Sequence, residues 1–276
     1  MRPVALAVTG RGLVDPASSV IAADDEGFTR GRASFETMRV YGGRPFRLRQ
    51  HLDRLGRTAE SLGVAPPQAG EIESIVELVL AAAGLGDATL RVYWTPGPPG
   101  AEPFGLAFVG RVPDAIEELR SRGMRLAAVA VPRREQRWLL PGAKSVSYAV
   151  NMAVEAEARR RSADDAVFVD DAGIVLEGPT TNVWWRVGDL LVTPALSLGI
   201  LAGETRAAVW ELASSCGFRV EERVEPLEAL CSAAEVFTTS SVREVMPVVS
   251  VDGTAIAGGP AAGLLQEALR RAALAG

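Results

Sequence analysis

The alternation of apolar and polar positions divides the chain into short strands and amphipathic helices. Residues 34–49, "SFETMRVYGGRPFRLR", are two β-rich runs around Gly42-Gly43, a dipeptide that supplies the positive φ of a tight turn, so the pattern predicts a hairpin. In "HLDRLGRTAESLGV", Leu52, Leu55, Ala59 and Leu62 recur at helical spacing and Gly63 is a stop signal. A second helix is predicted over about 70–83, and "ATLRVYWT" and "FGLAFVGRV" read as strands around the loop "PGPPGAEP". Beyond a connecting segment at 113–123 come a strand, "MRLAAVAVP", and a long loop ending in "LPGAKS". A helix follows in "YAVNMAVEAEARRR". Two hairpins are then expected, "DAVFVDDAGIVLEG" turning at Asp171 to Gly173 and "TNVWWRVGDLLVTP" turning at Gly188-Asp189. The order continues with helix ("ETRAAVWELASSCG"), strand ("FRVEERVE"), short helix, strand ("AEVFTTSS") and a terminal helix from about 260. The pattern predicts an α+β protein of two domains, 1–117 and 118–276, meeting at a cleft, a common place for a ligand.

Composition narrows the chemistry. Of 276 residues 48% are hydrophobic and 23% charged, as in a globular protein, and the net charge of −5 argues against a nucleic-acid partner. No apolar run approaches the ~18 residues that would suggest a membrane span, and no signal peptide is evident, so a cytoplasmic location is expected. Cys216 and Cys231 lack metal-ligand spacing, and His51 is the single histidine. No metal is expected, and His51 reads as a packed or capping residue of the first long helix.

Lys144 is the single lysine among 29 basic residues. Arginine replaces lysine in most surface roles, but a guanidinium cannot act as a neutral amine nucleophile, whereas a lysine can lose its proton and form a Schiff base. Downstream, "LEGPTTNVWW" holds Glu177 and three small polar residues, Thr180, Thr181 and Asn182. "GILAGET" puts glycine directly before a predicted helix, where N–H groups and the helix dipole favour phosphate, and "TTSSVREV" offers hydroxyls at a strand end. An amine with a phosphate site describes a cofactor carrying an aldehyde and a phosphate; pyridoxal phosphate has both.

The chain resembles the fold-type IV pyridoxal-phosphate enzymes, which include branched-chain and D-amino-acid aminotransferases and aminodeoxychorismate lyases. The resemblance rests on "GFTRGRASFETMRVYGGRPFRLRQHLDRL", "AKSVSYAVNMAVEAEA", "GIVLEGPTTNVWW", "TPALSLGILAGETR" and "EVFTTSSVREVMPVVSVDG", in the family's order from about residue 22 to 253. It implies a two-domain α+β fold like that of the D-amino-acid aminotransferases, with the cofactor at the domain junction, and a homodimer. By the same resemblance Lys144 holds pyridoxal phosphate covalently, Glu177 faces its ring nitrogen and Arg54 binds its phosphate. Gly203, Glu204 and Thr205 add phosphate contacts, as does Ser240 or Ser241. Thr180, Thr181 and Asn182 border the cofactor, and Tyr148 either hydrogen-bonds its phenolate or belongs to the core.

The family's usual Asp and Gly near residue 32 are replaced by Arg32 and Ala33, which makes Arg32 a candidate for a substrate carboxylate. The Arg-x-His pair of the D-amino-acid enzymes is missing from "WTPGPPGAEP". The resemblance implies an aminodeoxychorismate lyase, giving 4-aminobenzoate and pyruvate for folate synthesis. A class IV aminotransferase is the alternative, and a non-catalytic cofactor-binding protein the third reading.

Overall fold

The computed structural model describes residues 2–131 and 142–275. The expected long loop before "GAKS" falls mostly on 132–141, outside the described residues. The described residues form two compact units, 2–113 with 143–148, and 114–131 with 142 and 149–275.

The first unit runs β1 (Ala5–Val8), β2 (Gly12–Val14), α1 (Glu26–Arg30), β3 (Ser34–Tyr41), β4 (Arg44–Pro45), α2 (Leu48–Ser61), α3 (Glu71–Ala83), β5 (Asp87–Thr95) and β6 (Phe104–Gly110). Among the described residues these strands form one sheet in the order β2-β1-β6-β5-β3-β4. The expected hairpin turns at Gly42 and Gly43 (φ 56° and 81°), but its return arm is only Arg44–Pro45. Pro45 has no N–H to extend the ladder, and Arg47, in the left-handed region at φ 56°, leads the chain into α2. The full-length partner of β3 is β5, paired from Ser34↔Trp94 to Tyr41↔Asp87.

Strand alternation gives this sheet two different faces. Met38, Val40, Leu90, Val92, Trp94, Ala107 and Val109 pack with Leu55 and Ala59 of α2 and with Ile72, Ile75, Val76 and Val79 of α3. Each fully buried Val, Leu, Ile or Met side chain among them contributes ~1.5–3 kcal/mol. The opposite face carries Phe35, Thr37, Arg91, Tyr93, Leu106 and Phe108, in the register Phe35↔Tyr93↔Leu106 and Thr37↔Arg91↔Phe108.

The second unit runs α4 (Ala115–Arg122), β7 (Met124–Ala130), α5 (Ala149–Arg160), β8 (Asp165–Val169), β9 (Asn182–Val187), β10 (Leu190–Pro194), α6 (Glu204–Ala213), β11 (Arg219–Arg223), α7 (Leu227–Cys231), β12 (Glu235–Ser240), β13 (Glu244–Val251), β14 (Thr254–Ala255) and α8 (Ala261–Ala275). Its mixed sheet has the order β11-β10-β9-β12-β13-β7-β8, with β14 on β13. The segment expected to be a connection is α4, a helix of this unit. The arm expected after Gly173 returns along β8 without becoming a full strand: Leu176 N–H donates to Phe168 O (2.9 Å) and Phe168 N–H to Glu177 O (2.8 Å). The β9–β10 hairpin turns at Gly188-Asp189 as expected. The pattern did not foresee β13, whose Pro247 argues against a central strand. Pro247 stands one residue before the β7 pairing begins at Val248↔Met124.

Candidate active site

In the first unit, the segment holding Lys144 is fastened to the entry of β3. Phe35 N–H donates to Lys144 O (3.1 Å), Val146 N–H to Ala33 O (3.0 Å), and Lys144 N–H to Thr58 Oγ1 on α2 (3.3 Å). These bonds leave the Lys144 side chain beside the open face of the sheet. Its Nζ lies 4.5 Å from the centre of the Phe35 ring and 5.9 Å from that of Tyr148, and donates to Tyr148 Oη (3.4 Å). Behind Phe35 the rings continue as a stack: Phe35–Tyr93 at 5.7 Å and 18°, Tyr93–Phe108 at 5.9 Å and 13°. Tyr148 meets Phe35 edge-on at 5.1 Å and 77°. The amine thus sits against an aromatic wall that limits its hydration and interacts with its cationic form through the ring faces.

Arg91 lies on the same face, two residues from Tyr93 and opposite Thr37 and Phe108. Its Nε is buried and meets no hydrogen-bond partner among the described residues. An unmatched buried guanidinium N–H is costly and donates readily to a carboxylate. The sequence reading missed it: strand parity marks Arg91 and Tyr93 as sharing a face, but not which face stays uncovered by helices.

Arg32 is differently placed. Its Nη1 donates to Glu26 Oε2 (2.5 Å), Nε to Leu62 O (2.9 Å) and Nη2 to Gly63 O (2.6 Å). All three guanidinium nitrogens thus tie the start of α1 to the chain just past the end of α2. In that geometry the Arg32 guanidinium, proposed from the sequence for a substrate carboxylate, is engaged by acceptors of the protein itself.

Arg54 and His51 share one buried carboxylate. Glu36, fully buried on the helix-covered face, accepts from Arg54 Nε and Nη2 (2.7 Å each), and its Oε2 lies 2.7 Å from His51 Nδ1. Burial opposes its ionisation, but the charge and hydrogen bonds of Arg54, with those of His51, outweigh it and hold the carboxyl at about 2. His51 is therefore packed, as expected, but it caps no helix end. The fork of Arg54 is oriented by Glu36.

In the second unit, the residues singled out from the sequence gather at one end of the sheet. Half-buried Glu177 accepts from Leu201 N–H through Oε2 (3.0 Å), and Asn182 Nδ2 donates to Leu201 O (2.8 Å). The Leu201 residue is thus gripped at its N–H and at its carbonyl, which fixes the loop leading into α6. A side-chain carbon on Gly203 would come 2.0 Å from Asn182 Oδ1, so glycine is required for this approach. From Gly203, which offers no side-chain cap, the chain enters α6 at Glu204, with Thr205 buried in its first turn. Asn182 also pairs with Thr239 on β12, one residue before Ser240. Ser240 and Ser241 are therefore at the same sheet end, with Ser240 Oγ accepting from Arg243 N–H (3.3 Å). Thr181 is buried with its hydroxyl unpartnered among the described residues, whereas Thr180 is exposed and accepts from Arg243 Nη2 (3.0 Å).

Each unit, taken by itself, offers donors suited to part of an aldehyde-and-phosphate ligand. The first holds the Lys144 amine and the second the Glu177 carboxylate. A helix N-terminus with Thr205 and the two serines supplies N–H and O–H groups for an anion. Among the described residues no cluster of His, Cys, Asp and Glu could hold a metal ion, and no helix is long and apolar enough to cross a membrane.

Comparison with known proteins agrees with this chemistry. A putative branched-chain-amino-acid aminotransferase of Methanocaldococcus jannaschii is 32% identical over 250 residues, 88% of this chain and 86% of that one. The aminodeoxychorismate lyase of Bacillus subtilis is 30% identical over 256 residues, covering 89% and 86%. A hypothetical aminotransferase from Mycobacterium tuberculosis, solved in a PLP-bound form, superposes with a TM-score of 0.92 at 28% identity over 98% of both chains. Residues 33–251 match the family model for amino-transferase class IV, and the chain belongs to that family.

Proposed function

We propose that this pyridoxal-phosphate enzyme is a lyase that converts 4-amino-4-deoxychorismate to 4-aminobenzoate and pyruvate. The observation that carries the choice is the wall of stacked rings beside Lys144, with Arg91 at its edge. A flat carboxylated ring matches that surface: the aromatic faces cover the ring and the guanidinium takes the carboxylate.

The cofactor, when bound, supplies an electron sink for the bond-breaking at the substrate. The chain's residues do the rest. Lys144 would hold the cofactor through its amine, and the same amine would move the proton at the substrate carbon next to the amino group. Glu177 holds a proton on the ring nitrogen. The start of α6, Thr205 and one of Ser240 and Ser241 bind the phosphate; Arg54, oriented by Glu36, supports the same group. Tyr148 hydrogen-bonds the Lys144 amine and orients it. Phe35, Tyr93 and Phe108 exclude water, and Arg91 fixes the substrate.

An aminotransferase acting on branched-chain or other amino acids is the second reading, favoured by the M. jannaschii relative, and the ring wall would also cover an apolar side chain. Purified enzyme should form 4-aminobenzoate from aminodeoxychorismate. Rapid amino transfer from valine, leucine or a D-amino acid with no 4-aminobenzoate would overturn the lyase reading in favour of the second. Protein that purifies without the yellow colour of a bound cofactor, and takes none up, would refute both. We further propose that the chain works as a homodimer in the cytoplasm.

A further inference from the structure

Between β12 and β13 the chain turns through Ser240–Arg243 and enters β13 at Glu244, whose φ of 60° lies in the left-handed region. A residue with a long side chain adopts that conformation only when its surroundings hold it there. Glu244 is completely buried. Its carboxylate accepts from Arg120 Nη2 on α4 (2.9 Å), and from Gln266 Nε2 (2.7 Å) and Arg270 Nη2 (2.8 Å) on α8. The same side chains grip the backbone on either side. Arg120 Nη2 donates to the Arg243 carbonyl (2.8 Å), and Gln266 Oε1 accepts from Val245 N–H (2.9 Å). Glu117 sits 2.6 Å from both Arg120 and Arg270, which leaves neither guanidinium facing Glu244 alone.

We infer that Glu244 and Arg120 are positioning residues for the cofactor phosphate. They set the conformation of the Ser240–Arg243 turn from behind and touch no ligand themselves. The inference rests on the reading that this turn contacts the phosphate. Its physical basis is Arg120, whose Nη2 reaches the Glu244 carboxylate and the Arg243 carbonyl together while its Nη1 lies 2.6 Å from Glu117. A lysine ammonium keeps the charge but has one nitrogen in place of the guanidinium's spread of donors, so it cannot hold all three acceptors at once. Glu244→Gln keeps the shape but removes the buried carboxylate from Arg120 and the half-exposed Arg270, which then share only Glu117 as counter-charge.

The test compares pyridoxal phosphate with pyridoxal, which lacks the phosphate, as ligands of the apoprotein. Both are titrated by absorbance into wild type, Arg120→Lys and Glu244→Gln, and the phosphorus resonance of bound pyridoxal phosphate is recorded. Arg120→Lys should weaken pyridoxal phosphate by about tenfold or more, as for a disturbed charged hydrogen bond. It should leave pyridoxal affinity within about twofold and shift the phosphorus resonance. Equal losses for both ligands, or a lowered apoprotein melting temperature with unchanged affinities, would show a merely structural role and overturn the inference. If Glu244→Gln fails to fold, Arg120→Lys alone decides. A Ser240→Ala, Ser241→Ala double variant separates the underlying reading. Should it keep the full preference for the phosphorylated ligand, the serine hydroxyls are not the phosphate donors. Arg120→Lys then decides whether the turn acts through its backbone N–H groups.

Discussion

Glu36 shows how a buried charge is made tolerable and what that implies for pH. Its carboxyl sits at about 2 in the fold against an ordinary 4.5. A depressed carboxylate contributes stability that is complete above 4.5 and is lost as pH falls toward 2. The difference corresponds to on the order of 3 kcal/mol. Denaturant titrations of the apoprotein should show stability falling across that window. Glu36→Gln should be destabilised at neutral pH by about 3–5 kcal/mol, because the buried Arg54 guanidinium loses its counter-charge, and should show a flatter profile below pH 4.5. A wild-type profile that is flat there would refute the ion-pair account. Lys144 is a simpler case. Borohydride reduction should fix a phosphopyridoxyl group on the peptide "GAKSVSY" of the native protein. Lys144→Arg should fold and yield no labelled peptide, since a guanidinium cannot form the bond; mass spectrometry of the two digests decides. Arg91 bears on the substrate: Arg91→Met should raise KM for a carboxylate substrate by about tenfold or more, from the loss of a charged hydrogen bond. An unchanged KM would move the carboxylate ligand elsewhere.

At the scale of elements, the entry to α6 is the most tightly determined piece of the candidate site. Glu177 and Asn182 hold the two sides of Leu201, and the space above Gly203 is filled by Asn182 Oδ1. Gly203→Ala should therefore displace either Asn182 or the first turn of α6. The expected result is weaker retention of pyridoxal phosphate with the Lys144 peptide still reducible at high cofactor concentration. Equilibrium dialysis giving wild-type affinity would show that the loop yields without moving the donors. This element was legible in the sequence because "GILAGET" joins a turn signal to a helix start. Helices α2, α3, α5, α6 and α8 were legible for the same kind of reason, a sustained apolar period. Strands such as β13 were not, because pairing with neighbours distant in sequence overrides a local proline signal. The short β4 shows the converse, where Pro45 ends a strand that the alternation would have continued.

For the whole molecule, candidates for the chemistry could be picked out of the chain while the residues that support them could not. Lys144 stood out by uniqueness and Glu177 by the motif around it. Arg91 and Glu244 owe their importance to which face a strand leaves open and which helices come behind a turn, and neither fact is local. The same limit applies to association. A soluble protein normally exposes scattered apolar residues, but Phe28 on α1 is 75% exposed, and Val150 and Met152 in the first turn of α5 are 61% and 52% exposed. Large apolar side chains left in water on well-formed helices are the composition expected of surfaces covered by another chain. If a second copy covers them, light scattering of the active protein should give twice the chain mass of 29.1 kDa. Phe28→Asp should move that mass toward the single-chain value, because a carboxylate would have to be buried without a partner. Active wild-type protein with the mass of one chain would reject the homodimer. A dimer that Phe28→Asp leaves intact would place the interface away from α1.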